Sequence, residues 1–271
     1  MSNETRLHLL WQRWQQPLTT IIKSRKAELK FPNLEEKPNS RDKANPGRRV
    51  LKLTQPLCIL NAPQKASSKR KTMHVLIDGH FHFEDAAAHQ CLTHAGANVT
   101  LLHPEWLDND VLKLTLVDAL HFDVESPEQS KRKGFHPYFH VQRGTSLKDE
   151  EIKQIFADAE GWDLEKIQVD QSAKDLIGHP YLRIPTPQLD VFAVLTMVIA
   201  DCFCNPGIMA TNASNGDTNA EALFSSLLSL LTETNNIVRE SITSRELCER
   251  VRAGQFMSAA HWYPEWDMVQ Q

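Results

Sequence analysis

The chain has 271 residues, of which 41% are hydrophobic and 24% charged. These proportions are ordinary for a folded globular protein with one large core or two small ones. It holds no apolar run of about eighteen residues, so no spanning helix and no membrane role is expected. The N-terminal stretch MSNETRLHLLWQRW carries charges and tryptophans where a signal peptide needs an apolar segment, so a cytoplasmic protein is expected.

The net charge of −4 conceals a split. Residues 1–71 hold 16 Lys and Arg against 5 Asp and Glu, whereas residues 72–271 hold 14 against 29. A basic end of this kind suits an anionic partner, an acidic surface of its own body, or simply solvent. The five cysteines, Cys58, Cys91, Cys202, Cys204 and Cys248, are scattered, with no CxxC pair. That is neither a disulfide framework nor a zinc-ribbon spacing.

In chain order, residues 5–30 read as a helix, because Leu7, Leu10, Trp11, Trp14, Leu18, Ile21 and Ile22 recur every three or four residues. Asn3 or Thr5 is the expected cap, and Pro17 is expected to break or kink the helix. Residues 31–49, with three prolines and many charges, read as a linker. Residues 50–60 read as a strand interrupted at Pro56, and residues 61–72 as a basic loop. Residues 73–83 read as a strand, 84–97 as a helix ending near Gly96, 98–103 as a strand and 104–116 as a short helix. Residues 117–125 and 135–143 read as two further strands that pair with each other.

Residues 147–160 are expected to be a helix capped by Ser146. The most apolar helix is expected over residues 187–203, with Thr186 as cap, Pro187 as first helical residue and Asp190 in the early turn. Residues 219–238 and 243–253 read as amphipathic helices. The tail, residues 258–271, carries Trp262, Tyr263 and Trp266, which favour docking on the body or on a partner.

The fold class is therefore α+β. A sheet of roughly five antiparallel or mixed strands packs on a buried central helix, flanked by helical N-terminal and C-terminal segments. Residues 1–49 form a basic helix and linker, 50–205 the α+β core, and 206–271 a helical segment packed on that core.

The chemistry-bearing feature is histidine on alternate strand positions. A strand sends successive side chains to opposite faces. Val75, Ile77, Phe81 and Phe83 then share one face, while Leu76, Asp78, His80, His82 and Glu84 share the other. His121 and Asp123, and then His136 and His140, repeat the pattern on the next two strands. If these strands pair, one face packs a core and the other bears imidazoles and carboxylates. Arg143 and Arg183 are candidates to join them in an anion-friendly patch.

The segment IDGHFHF, residues 77–83, resembles the first-strand HxH motif of amidohydrolase-type metal-dependent hydrolases. That resemblance implies further metal ligands at the ends of later strands of a (β/α)8 barrel. The three or so strands that follow, succeeded only by helices, do not build such a barrel, so the activity is not carried over. His136-Pro137-x-x-His140 is not a helical HExxH, since proline favours extended chain and no adjacent glutamate stands ready as a base. No GxSxG, P-loop or GxGxxG is present. Cys91, between His89 and His94 on the expected helix, reads as a small buried side chain.

Three functions follow as expectations. The first is a non-enzymatic binding or accessory subunit of a cytoplasmic multiprotein assembly, whose surface is His80, His82, His121, Asp123, His136, His140, Arg143 and Arg183. The second is a nucleic-acid-binding protein that uses residues 23–71, with Arg48, Arg49, Lys69, Arg70 and Lys71 as phosphate contacts. The third is a metal-dependent hydrolase or nuclease on the histidine face. No resident cofactor is expected, and the one cofactor the pattern admits is a divalent metal on that face. Another protein is the expected partner.

Overall fold

A computed structural model describes residues 2–38, 48–63, 72–86, 89–125, 139–143, 147–172, 184–185, 190–203 and 218–241. It is an α+β structure. Helix α1 spans Asn3–Ser24, α2 Asp149–Glu160, α3 Val191–Phe203 and α4 Thr218–Ser241. The strands are β1 (Glu28–Lys30), β2 (Leu34–Pro38), β3 (Arg48–Leu53), β4 (Leu57–Pro63), β5 (Thr72–Ala86), β6 (His89–Leu107), β7 (Val111–Glu125), β8 (Phe139–Arg143), β9 (Ile167–Asp170) and β10 (Ile184–Pro185). Among the described residues they form one ten-stranded sheet, against the five strands expected, and every pairing is antiparallel except β7 with β9.

Three long strands, β5, β6 and β7, are the frame. Short strands share the two outer edges. On the outer edge of β5, β4 pairs along residues 72–77 and β3 along 80–84. On the outer edge of β7, β9 pairs along 112–115 and β8 along 120–124.

The long β6 replaces both the helix expected over 84–97 and the start of that expected over 104–116. Two features hid it. Alanines at 95 and 97 read as helix formers. The period-two signal also breaks at Thr93: His82 pairs with His94 but Phe83 pairs with Leu92, so Thr93 is the extra residue of a β-bulge. The bulge lets Leu92 reach the same buried cluster as Ala95, Ala97 and Val99. Residues 108–110 form only a 3-10 turn joining β6 to β7.

Other boundaries also differ from expectation. The first helix is capped by Ser2, whose hydroxyl accepts the Thr5 N–H at 3.2 Å. It ends at Ser24, and Lys26 at φ 62° turns the chain into β1. Pro17 lies inside α1 and does not divide it. The lost bond to the Arg13 carbonyl costs about 3 kcal/mol. Seven buried side chains on the same helix, Leu7 to Ile22, offset it at roughly 1.5–3 kcal/mol each. The expected linker contains β2, which pairs with β3. Pro56 does separate two strands, β3 and β4.

At the start of α2 the Glu151 carboxylate accepts the Lys148 N–H at 2.9 Å, and Gly161 closes the helix at φ 69°. Helix α3 is capped by buried Asp190 rather than Thr186. Its carboxylate accepts the N–H groups of Phe192 and Ala193 at 2.9 and 3.1 Å. Ser146, Thr186, Pro187, the helix expected over 243–253 and the aromatic tail lie outside the described residues.

The sheet has two faces and two cores. One face is buried under α1, α3 and α4 in a cluster that runs in sequence from Leu7 to Val238. Phe192 of α3 sits at its centre, with ring centroids 5.5 Å from Trp11, 5.3 Å from Trp14 and 6.0 Å from Phe81. On the opposite face the described residues show a second core over one half. There Leu76, Leu102, Leu112, Leu114 and Leu116 are buried with Ile152 and Phe156 of α2 and Ile167 of β9. Among the described residues no helix is long and apolar enough to cross a membrane.

Gly79 sets the contact between sheet and helix. A Cβ there would lie 2.6 Å from Val191 Cβ and 2.8 Å from its Cγ2. Gly79→Ala is therefore expected to push α3 off β5 and to cost about 1–3 kcal/mol, read as a lower urea midpoint.

Candidate functional site on the histidine face

Beyond the α2 layer the same sheet face turns polar. Cross-strand register aligns its residues in three rows. The middle row is Lys52, His80, Gly96, Asp123 and His140, on β3, β5, β6, β7 and β8. One flanking row is Val50, His82, His94 and Glu125. The other is Asp78, Asn98, His121 and Gln142.

Three imidazoles meet where the first two rows touch. The ring centroids of His80 and His82 are 4.9 Å apart, those of His80 and His94 5.0 Å, and those of His82 and His94 5.2 Å. His80 leans into the gap left by Gly96, where a Cβ would stand 2.8 Å from its Cε1. A glycine at this place is what lets a ring lie flat along the sheet. The Asp123 carboxylate joins the cluster to the next row: Oδ1 is 3.3 Å from His94 Nδ1, and Oδ2 is 3.6 Å from His121 Nε2. His121 Nδ1 in turn lies 2.7 Å from Asn98 Oδ1. Lys52 Nζ approaches Asp78 Oδ2 at 3.3 Å on the β3 side.

Burial and the neighbouring imidazoles of His94 and His82 push the His80 pKa down to about 3. Like-charged neighbours and lost hydration both disfavour the imidazolium. As they stand, the rings do not converge on one point. His80 and His94 are within 27° of parallel, and among the described residues no group of three or more His, Cys, Asp or Glu side chains is placed to hold a metal ion.

The structure thus brings His80, His82, His121 and Asp123 together and puts His140 in register with Asp123. Arg143 stands elsewhere. It is opposite Leu120, which packs against the α1–α3–α4 core, so strand alternation places it on the other face, and its guanidinium bonds Asp118 at 2.8 Å. His136 and Arg183 lie outside the described residues. His94 was missed because its segment read as a helix. Lys52 and Asn98 were missed because neither belongs to a histidine-bearing strand repeat.

Of the five candidate phosphate contacts, Arg49 sits 3.5 Å from Glu4 and 3.9 Å from Glu36. Lys69, Arg70 and Lys71 lie outside the described residues, as does the side chain of Arg48. Cys58 and Cys202, the cysteines with described side chains, are poorly placed as nucleophiles. Burial pushes the Cys58 thiol to about 12 and Cys202 to about 11, where the thiolate is scarce. Cys91 lies on β6, opposite Glu84, and not on a helix.

A second buried histidine shares the His80 chemistry. His74 lies against Phe156 with ring centroids 5.2 Å apart, and its Nδ1 accepts the Asn61 N–H at 3.1 Å. Burial, then the nearby His103, lowers its pKa to about 4. Both folded values lie below the ordinary 6.5 or so of an unfolded chain. Between these limits the unfolded chain binds more protons, so the stabilisation is complete above about pH 6.5 and is lost as pH falls toward 4 and then 3. The urea midpoint is expected to drop between pH 7 and pH 4.5, and to drop less steeply in His74→Asn.

No protein-family model matches the chain, no curated protein matches it in sequence, and no solved structure matches it.

Proposed function

We propose that this is a non-enzymatic binding or accessory subunit of a cytoplasmic multiprotein assembly, and that the histidine face takes its ligand or partner. The observation that supports this reading is the clustering of His80, His82, His94, His121 and Asp123 on the half of the face that α2 does not cover. Side chains so placed can offer hydrogen-bond donors, acceptors and titratable charge to a partner while the opposite face stays committed to the core. Lys52 and Asp78 at one side of the cluster add charge of both signs, which suits a polar partner surface.

A metal-dependent hydrolase or nuclease is the second reading. It is favoured by the meeting of three imidazoles with a carboxylate. It differs in requiring turnover, so ester and phosphodiester substrates with added divalent ions separate the two. A nucleic-acid-binding role through residues 23–71 draws less support, since Arg49 already has Glu4 and Glu36 beside it.

The leading reading is checked by affinity capture of the full chain from cells of its own source. A partner retained at constant stoichiometry by the wild type is expected to be lost from His82→Ala/His121→Ala and kept by Glu105→Ala, an exposed residue of β6. Equal retention by all three proteins removes the histidine face as the binding surface.

A further inference from the structure

We propose that His80, His82 and His94 form a three-histidine site for a divalent first-row transition ion, with Asp123 as the carboxylate that positions His94. This rests on the reading of the histidine face as a ligand surface and names the ligand class.

The argument is one of spacing. Zinc–imidazole bonds are about 2.0–2.1 Å long, so three imidazoles around a tetrahedral ion have ring centroids about 5 Å apart. The three centroid separations here are 4.9, 5.0 and 5.2 Å. The backbone therefore already sets the distances between the rings. What the present arrangement lacks is the aim of the nitrogens, since His80 and His94 are nearly stacked. Aim is the softer variable. Rotation of an imidazole about its Cβ–Cγ bond is broad and roughly two-fold.

The surroundings match this role. A ligating histidine commonly gives its second ring nitrogen to a carboxylate, which fixes tautomer and orientation. Asp123 Oδ1 at 3.3 Å from His94 Nδ1 leaves Nε2 of that ring for an ion. Among the described residues the carboxylates of Asp78 and Asp123 stand beside the cluster, and carboxylates there favour a cation. Gly96 admits the His80 ring to the cluster, since its Cε1 lies where a side chain would otherwise stand. Imidazole nitrogens without thiolates suit zinc, cobalt, nickel and copper rather than magnesium or calcium. Three protein ligands leave a fourth position for water or an anionic group of a partner.

The test uses the full chain, purified without a histidine tag, stripped with a chelator and titrated with Zn2+ against a chromophoric competitor. Co2+ in a parallel titration reports coordination through its visible absorption. One ion per chain with a Kd below about 1 μM is expected. His82→Ala and His94→Gln are each expected to weaken it by more than about 100-fold, and Asp123→Asn by about 10–100-fold. His8→Gln, on α1, is expected to change nothing. Urea midpoints confirm that each variant is folded, and His82, a partly exposed residue, carries the test if His94→Gln does not fold.

Absence of Zn2+ binding, or binding that survives the His82 and His94 changes, overturns the site. Partner capture by chelator-stripped protein separates this failure from that of the surface reading. A partner still lost in His82→Ala/His121→Ala, with no metal bound, leaves the surface standing without the ion.

Discussion

Strand β5 serves both faces of the sheet at once, and the rest of the structure depends on its register. Val75, Ile77, Phe81 and Phe83 enter the larger core, while Asp78, His80 and His82 stand on the polar face. A slip of one residue would exchange the two sets, burying imidazoles among tryptophans and exposing phenylalanines. The cost of that exchange, about 1.5–3 kcal/mol for each large apolar side chain with the penalty of burying polar groups added, ties the site to the core. The ladders with β3 and β4 on one side and β6 on the other hold the strand in place along its length.

Two glycines do their work through the atom they lack, and they act on opposite faces. Gly79 admits α3 against the sheet at Val191, on the core side. Gly96 admits the His80 ring on the polar side. In neither case is the backbone in the left-handed region, so the requirement is for space and not for conformational freedom. The larger core then draws on α1, α3 and α4, and α1 is additionally held to the connection between β1 and β2 by Trp11 Nε1, which donates to the Pro32 carbonyl at 2.8 Å.

Much of the polar face was legible because its residues alternate cleanly. His80 with His82, and His121 with Asp123, could be placed on one side of their strands from period two alone, and neighbouring strands do bring them together. The α+β class, helix α2 and the broken strand at Pro56 were legible for similarly local reasons. What hid the third imidazole was a bulge. One inserted residue, Thr93, interrupts the alternation, and the alanines beside it favour the wrong element. Strand β2 was obscured by the prolines and charges that mark linkers, and α1 looked divisible because the cost of Pro17 is local while its compensation is tertiary. Arg143 was assigned to the site by nearness in sequence to His140, but an odd number of residues along a strand means opposite faces.

The pairing of β5 with β6 runs to Ala86 opposite His89. His80, His82 and His94 thus lie within one local excursion of the chain, whereas the ion pair that ties α1 to α4, Arg13 with Glu233, spans 220 positions. Closing a short loop costs little entropy, and contacts of small sequence separation form fast. The imidazole cluster is accordingly an inexpensive piece of the molecule to assemble. Its geometry needs only neighbouring strands in correct alignment, and the helical layer across the sheet serves to keep that alignment from being renegotiated.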